Sequence, residues 1–337
     1  MTWIRRGLIL VAALLLAVAA YAIANALRTT RPVGFQWVSV PDADGTTLAV
    51  GVWYPTEATP RPTTLLGLNL LSVAPQAPIA GTALPLVVIS HGNGGGPGSH
   101  ADLALALAEN GFVVAAPMHT GDNFADQRSA GTARWLPDRH RHLRATLDHL
   151  LGAWPGRDRI NPARIGIFGF SAGGFSALAA IGGTPDLSRV ALHCSASDEF
   201  VCRLLKQADA PLLRPGDAPP PSAFARDTRL KAAVLAAPGL GFAFPPEALG
   251  RVTVPVQLWS GLQDANVPEP TNAGPIRQGL GPRVEFHAVP GAAHFSFLVP
   301  CRLLGPPLLC RDADGFDRIA FHASMNAQVV AFFGQHL

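Results

Sequence analysis

The sequence contains little charge and almost no lysine. Charged residues account for 15% of its 337 residues, and Lys206 and Lys231 are its only lysines, so arginine carries nearly all of the positive charge. Hydrophobic residues reach 48%, whereas disordered chains combine low hydrophobicity with high net charge. Arg139, Arg141 and Arg144 alternate with histidines on one predicted helix. We expect them on a solvated helix face and predict no nucleic-acid partner.

Motifs for metal ions and nucleotides are also missing. No C-x-x-C or H-E-x-x-H spacing occurs, so a zinc site is not indicated. The glycine-rich stretch 92–96 follows a predicted strand, but it lacks the third glycine of a dinucleotide fingerprint and the Gly-Lys-Ser/Thr ending of a phosphate loop. The sequence therefore predicts no metal ion and no cofactor.

The N-terminus has the layout of a secretory signal peptide. A short basic start over residues 1–6 precedes an apolar run over residues 7–24, and small residues up to Ala26 fit an A-x-A cleavage site. We predict that residues 1–26 are a signal peptide and that residues 27–337 form an exported domain, periplasmic or secreted. The apolar run is about long enough to span a bilayer, so an uncleaved helix that anchors the protein to a membrane is the alternative.

The four cysteines agree with export, because disulfides persist in oxidising compartments. They form two close pairs in loop-like stretches, and four cysteines allow three connectivities. Short loops cost the least entropy to close. We therefore predict the disulfides Cys194–Cys202 and Cys301–Cys310.

Strand and helix signals alternate along most of the chain, and one large α/β domain fits its length. Alternating apolar and polar residues over 35–40 and 47–53 predict a starting antiparallel hairpin. The later strands are expected over 86–90, 112–116, 164–168, 231–236, 256–260 and 284–289, and the helices over 101–110, 139–151, 172–181, after Pro270 and over 316–333. Continuous apolar strands that alternate with helices predict a mostly parallel sheet of about eight strands, flanked by helices on both faces.

A G-x-S-x-G pattern, Gly169-Phe170-Ser171-Ala172-Gly173, lies between a predicted strand and a predicted helix. Such a turn strains the serine backbone and lifts the hydroxyl clear of the sheet. Glycines are expected beside it because neighbouring backbone passes too close for a Cβ. We predict Ser171 as a nucleophile; the alternative is a turn that only packs a helix on a sheet.

A serine nucleophile needs a base, and the base needs an orienting carboxylate. Behind an elbow of this kind the acid and then the base follow the serine in the chain. Asp264 and His294 each come just after a predicted strand, at the carboxyl edge where parallel sheets place their sites. We predict Asp264 as the acid and His294 as the base. Asp122 is the nearest rival for the acid but precedes the serine, and the alternative role of Asp264 is to form a turn.

The loop after strand 86–90 supplies a candidate oxyanion hole, the set of N–H donors that stabilises the transition-state oxygen. We predict the backbone N–H groups of Asn93 and Ala172 as donors, with Gly94 as the second choice after Asn93. His91 is expected to be a structural residue.

Four side chains are candidates for contacting substrate. His119 follows a strand end near the proposed site, and three aromatic residues are candidates for an apolar acyl pocket, with core packing as their alternative: Phe170, Trp259 and Phe295.

Two stretches do not fit the alternation of strands and helices. Residues 57–83 are rich in Pro, Thr, Leu and Ala, and we predict a loop or flap over the sheet. Residues 182–229 form a predicted insertion after the nucleophile helix, where such insertions cap a site. A disulfide-pinned surface loop without substrate contact is the alternative for this insertion.

The order of these motifs resembles the α/β-hydrolase superfamily. More narrowly, the His91-Gly92 loop, the Ser171 elbow, Asp264 in a Gly-x-x-Asp-x-x-Val-Pro turn and His294 resemble the predicted dienelactone hydrolases related to platelet-activating factor acetylhydrolases. The likeness covers most of residues 35–337. It implies an α/β-hydrolase fold and a serine ester hydrolase.

Two features depart from these relatives. Dienelactone hydrolases proper use a cysteine nucleophile, whereas this elbow holds a serine. Acetylhydrolases of the platelet-factor type carry their acid one strand earlier than Asp264. Here that earlier strand, predicted over 231–236, is followed by Ala237-Pro238 and by no carboxylate. The resemblance therefore supports neither named substrate.

Taken together, the residues predict a cofactor-free serine hydrolase that acts on a small carboxylic ester with a short- to medium-chain or lipid-like acyl group. The same residues could cleave an amide or peptide, or transfer the acyl group to an alcohol. A binding protein on a hydrolase scaffold is the non-enzyme alternative. The sequence gives no indication of the oligomeric state.

Overall fold

The computed structural model describes residues 2–65, 69–214, 216–301 and 306–337. Their strands are β1 Val33–Pro41, β2 Thr47–Pro55, β3 Arg61–Leu65, β4 Asn69–Pro75, β5 Leu84–Ser90, β6 Val113–Pro117, β7 Ile160–Phe170, β8 Leu230–Ala236, β9 Val256–Gly261 and β10 Val284–Val289. Their α-helices are α1 Thr2–Ala24, α2 Ala101–Glu109, α3 Trp135–Gly152, α4 Ala172–Ala180, α5 Arg189–Ala196, α6 Phe200–Gln207, α7 Pro246–Leu249, α8 Ala273–Leu280, α9 Pro307–Cys310 and α10 Arg318–His336.

The strands form one mixed sheet in the order β10-β9-β8-β7-β5-β6-β2-β1-β4-β3. The six strands from β5 to β10 run parallel to one another, and β6 pairs antiparallel with β2. Strands such as β5 and β9 are buried along their whole length, as expected for parallel strands that are covered on both faces. Alternate residues of β5 point to opposite layers: Leu86 packs in the core with α3 and α4, and Val87 in the core with α2 and α10.

The antiparallel end of the sheet confirms one prediction and corrects another. β1 and β2 pair antiparallel as the expected hairpin. The predicted loop over 57–83 instead contains β3 and β4, so the mixed sheet has ten strands and not about eight. Most of its strand pairs are parallel, as predicted. β3 is an edge strand, which has no second neighbour to hydrogen-bond and therefore tolerates polar residues and Pro62. Because of these residues, the sequence of β3 lacks the pattern that predicts a strand.

The insertion between α4 and β8 is largely helical. It contains α5 and α6, which the disulfide Cys194–Cys202 joins, and short 3₁₀ turns at Pro211–Leu213 and Pro221–Phe224. The second predicted disulfide, Cys301–Cys310, is also present. Both predicted pairings are thus confirmed, in agreement with an oxidising compartment.

The N-terminal segment begins with α1, whose described side chains are exposed to solvent. Across the described residues, no helix combines the length and apolar character that crossing a membrane requires. Ala26 and Leu27 are buried against the body of the protein, whereas Arg28, Thr30 and Arg31 are exposed. The signal peptide and its cleavage stay predictions.

Candidate active site

Ser171 occupies a strained turn between β7 and α4. Its backbone has φ 55° and ψ −119°, a region that a non-glycine residue rarely adopts and that is strained at such turns. A Cβ on Gly169 would lie 2.2 Å from the Gly173 carbonyl oxygen, and one on Gly173 would lie 2.0 Å from that of Ser90. Both positions therefore require glycine, as the sequence predicted, and the turn holds the Ser171 side chain at the carboxyl edge of the sheet.

The structure brings Ser171, His294 and Asp264 into one hydrogen-bonded chain. His294 Nε2 lies 2.9 Å from Ser171 Oγ, and His294 Nδ1 lies 2.7 Å from Asp264 Oδ2. A carboxylate only accepts hydrogen bonds, so Nδ1 carries the proton and Nε2 is free to accept the Ser171 hydroxyl proton. The Asp264 side chain is 1% exposed and that of His294 is 8% exposed, which keeps bulk water away from the pair.

The loops that carry the acid and the base are bonded to each other. The other carboxylate oxygen of Asp264, Oδ1, accepts the backbone N–H groups of Asn266 and Val267, both at 2.9 Å. The residues just before Asp264 donate backbone hydrogen bonds to Val289 and Ala292 in the histidine loop. Relative movement of the two loops would break these bonds.

A second acid–histidine pair, which sequence reasoning missed, supports the 3₁₀ turn His294–Phe297. His322 on α10 donates from Nε2 to the Ser296 carbonyl oxygen at 2.9 Å, while its Nδ1 lies 2.6 Å from Asp102 Oδ2 on α2. Asn326, one turn further along α10, also donates to Asp102, at 2.8 Å. The spacing of His322 and Asn326 on one face of a helix was the available signal, but only the fold shows what that face contacts.

A buried ion pair holds the loop that contains Asn93. Asp122 accepts hydrogen bonds from Asn93 Nδ2 at 2.7 Å, from the Gly94 backbone N–H at 2.9 Å, and from Trp135 and Arg139 on α3, both at 2.5 Å. Arg139 also donates to the His91 carbonyl oxygen. Burial alone would raise the pKa of Asp122, but Arg139 and these donors hold it below the ordinary value. Asp122 thus supports the loop that carries the candidate oxyanion donor Asn93, whereas the carboxylate that contacts His294 is Asp264.

These hydrogen bonds show which of the candidate oxyanion donors already have an acceptor. The Gly94 N–H, the second choice as an oxyanion donor, already donates to Asp122 and is not available to an oxyanion. Among the described residues, neither the Asn93 nor the Ala172 backbone N–H has a hydrogen-bond acceptor. As the first residue of α4, Ala172 has no partner within the helix, and Asn93 lines the same cavity as Ser171.

The same ion pair corrects part of the prediction of a solvated arginine face on α3. Arg139 is 1% exposed, and Arg141 is held by Asp42 and Asp138, whereas Arg144 is exposed as predicted. A helical period shows which residues share a face, but it does not show whether that face meets water or a buried acid.

Three buried histidines form a chain beneath this loop, and their hydrogen bonds fix the tautomers. Asp42 can only accept, so His142 Nε2 carries a proton toward it at 3.1 Å and leaves Nδ1 as an acceptor. His119 Nδ1 then donates to His142 at 3.3 Å, and His119 Nε2 accepts the Ser90 hydroxyl at 2.9 Å. His91 accepts the His119 backbone N–H at Nε2 and donates from Nδ1 to the Gly92 carbonyl oxygen.

All three rings are neutral in this arrangement. Burial, with the Arg139 charge, lowers the pKa of His91 to about 3. Burial likewise lowers the pKa of His142 to about 4 and that of His119 well below its ordinary value. His91 is the structural residue that the sequence predicted.

Of the four side chains that were expected to contact substrate, two line the cavity beside Ser171 and two do not. Phe170 and Phe295 line the cavity beside Ser171, and the Phe170 ring packs 4.8 Å from that of His294. His119 is fully buried behind the loop, and Trp259 stacks on His287 at 3.9 Å on another part of the sheet. Neither lines the cavity, so both predictions were wrong. Trp259 packs in the core, which was the stated alternative.

The cavity beside Ser171 has a volume of about 460 Å³, within the usual range for small-molecule sites. Its lining is mostly apolar and includes Phe200, the one described contribution of the 182–229 insertion. Whether that insertion caps a substrate stays a prediction. Within the described ranges, no three His, Cys, Asp or Glu side chains are grouped so as to hold a metal ion.

Comparison with known proteins supports the fold. No protein-family model matches the sequence, and a search of curated proteins found no match. A solved ferulic acid esterase from Streptomyces cinnamoneus is similar, with a TM-score of 0.64 and 22% identity over 92% of this chain and 91% of that chain. At this identity the likeness shows that the two chains share a fold. The resemblance to the α/β-hydrolase superfamily, and the narrower one to dienelactone hydrolases and acetylhydrolases, stay predictions.

Proposed function

We propose that this protein is a serine hydrolase that cleaves carboxylic esters through an acyl-enzyme. The observation that carries the proposal is the bonded chain from Ser171 Oγ through His294 to Asp264 beside a cavity. A binding module on the same scaffold has no need of an aligned nucleophile, base and acid. The solved neighbour is named as an esterase, which is consistent with this class of reaction.

In the proposed reaction His294 Nε2 takes the Ser171 proton as Oγ attacks the acyl carbon. The Asn93 and Ala172 N–H groups stabilise the oxyanion. Asp264 holds the imidazole in the required tautomer and stabilises the imidazolium that forms. His294 then returns the proton to the leaving alcohol. Water attacks the acyl-enzyme in the second half, again through His294, and releases the acid.

The test is turnover of p-nitrophenyl esters and of methyl ferulate by the full chain, beside Ser171→Ala and His294→Ala. We expect kcat to fall by roughly a thousandfold or more in both variants, because the nucleophile and base act as one unit. Ser195→Ala, an exposed serine on α5, and His149→Ala on α3 are the matched controls and should retain the parent rate.

A fluorophosphonate label separates the remaining outcomes. Labelling at Ser171 without turnover of any ester would overturn the ester assignment and favour an amide, a peptide or acyl transfer. Absence of both label and turnover would favour the binding-protein alternative.

A further inference from the structure

The cavity beside Ser171 has no charged side chain among its described lining residues. Apart from backbone and the catalytic His294, its polar side chains are the neutral Asn25, Asn93, Ser99, Ser171 and Asn266. Bringing a charged group into such a cavity without a partner costs much free energy. An apolar chain, in contrast, gains about fourfold in affinity for each methylene that leaves water.

Part of this lining comes from the segment that precedes β1. The Leu27 backbone N–H donates to the Leu70 carbonyl oxygen at 2.9 Å, and the Ser72 N–H donates to the Leu27 carbonyl oxygen at 2.8 Å. Leu27 thereby pairs with β4 as a parallel bridge to Leu71. The residue is 9% exposed and lines the cavity.

The residues after Leu27 are hydrogen-bonded to the C-terminal end of α2. Thr30 donates from its backbone N–H and its hydroxyl to Glu109, at 2.9 and 3.1 Å, and Arg31 donates to Asn110 at 2.9 Å. The segment is therefore fixed at both ends, by β4 and by α2, and Leu27 is a fixed part of the cavity. The predicted end of the signal peptide, at Ala26, leaves Leu27 in the chain.

The β3–β4 hairpin supplies two more leucines to the same lining, Leu65 at the end of β3 and Leu70 in β4. Leu65 is 1% exposed. Three leucines from two separate segments thus meet in one cavity, and all three lie far from Ser171 in the sequence.

Building on the proposed function, we propose that the site takes uncharged esters with an apolar chain and that Leu27, Leu65 and Leu70 limit the length of that chain. A larger side chain at one of these positions fills cavity volume and should favour shorter chains. A smaller one enlarges the cavity and should favour longer chains. A merely structural role predicts no such reversal.

The experiment measures kcat/KM of the full chain for p-nitrophenyl esters with acyl groups of two to twelve carbons. We expect Leu27→Phe and Leu65→Phe to lower the ratio of the eight-carbon to the two-carbon rate by at least tenfold. Leu27→Ala and Leu65→Ala should shift the preferred chain length upward. Leu192→Phe and Leu192→Ala, at a position 76% exposed on α5, are the controls and should leave the profile as in the parent.

A parallel series of alkyl acetates distinguishes the acyl side from the alcohol side, and a reversal in either series supports the proposal. Unchanged profiles in the Leu27 and Leu65 variants, with two-carbon turnover and fluorophosphonate labelling intact, would overturn it and leave the ester hydrolase standing. Equal rates for p-nitrophenyl hemisuccinate and the uncharged butyrate would overturn the part that concerns charge. If the parent neither turns over an ester nor takes the label, the proposed function itself has failed.

Discussion

At the scale of single residues, Asp122 supports the candidate site, although it lies far from Ser171 in the sequence. It accepts hydrogen bonds from the side chain of Asn93 and the backbone of Gly94, and its partner Arg139 holds the carbonyl of His91. A buried ion pair is weak evidence for stability, because desolvation offsets much of the attraction. Here the pair fixes both ends of the loop that presents the proposed oxyanion donor.

We therefore predict that Asp122→Asn lowers kcat by about a hundredfold with little change in KM. Removing one oxyanion donor costs roughly that much, and a displaced loop would remove the Asn93 donor. Stability should also fall, by about 3–5 kcal/mol, because Arg139 loses its buried partner. Steady-state kinetics and urea unfolding measure the two effects separately.

Asp42→Asn is the matched control for this prediction. Asp42 is also buried and paired with an arginine, Arg141, but it lies in the β1–β2 turn and does not contact the Asn93 loop. It should lose stability while kcat is kept. Equal losses of kcat in both variants would mean that Asp122 acts only through stability.

Residues that follow strands were predictable from the sequence, and those that rely on packing were not. Ser171, Asp264 and His294 each come just after a parallel strand, and all parallel strands end at the same edge. His119 also follows a strand, but its neighbours turn its ring into the core. The local sequence predicts the backbone position of such a residue in the fold. The orientation of its side chain depends on partners that are distant in the chain.

At the scale of elements, the turn that carries His294 depends on α2 and α10. His322 links them, since it contacts Asp102 on α2 and the Ser296 carbonyl of the turn. We predict that His322→Phe lowers kcat by roughly ten- to a hundredfold, because small misplacement of a catalytic group has effects of that size. Asn326→Leu removes the other donor to Asp102 without touching the turn.

Comparison of the two variants isolates the effect on the turn. Both should lower the melting temperature, and only His322→Phe should slow fluorophosphonate labelling of Ser171, which needs His294 in place. If Asn326→Leu slows labelling as much, the pair stabilises the fold and does not position the base.

Elements with strong signals were also the predictable ones. The buried parallel strands and α2, α3, α4 and α10 were found to within a few residues of their ends. β3 was missed because it is an edge strand with exposed polar residues and no continuous apolar run. β4 was missed with it, although its Leu71 and Val73 are buried. The β3–β4 hairpin then supplies Leu65 and Leu70 to the cavity, so the least visible element bears on the proposed selectivity.

At the scale of the whole molecule, the buried histidines couple stability to pH. The folded protein keeps His91 neutral down to about pH 3 and His142 down to about pH 4, whereas the unfolded chain binds a proton on each near 6.5. Between these values the unfolded state carries more protons, so acid favours unfolding. This stability is fully present above pH 6.5 and is lost as the pH falls toward 4.

We predict a urea midpoint that is steady near pH 8 and falls steeply below about pH 6, with each neutral histidine adding about 1.4 kcal/mol per pH unit to the slope. In His142→Gln the amide can still donate to Asp42, but one titrating group is gone. The slope of that variant should be smaller by about one proton. Its absolute stability near pH 8 reports only the packing and hydrogen bonding of the new side chain, because His142 is then neutral in both states. Equal slopes for the parent and the variant would mean that His142 takes up its proton in the folded protein as readily as in the unfolded chain, contrary to a neutral ring bonded between His119 and Asp42.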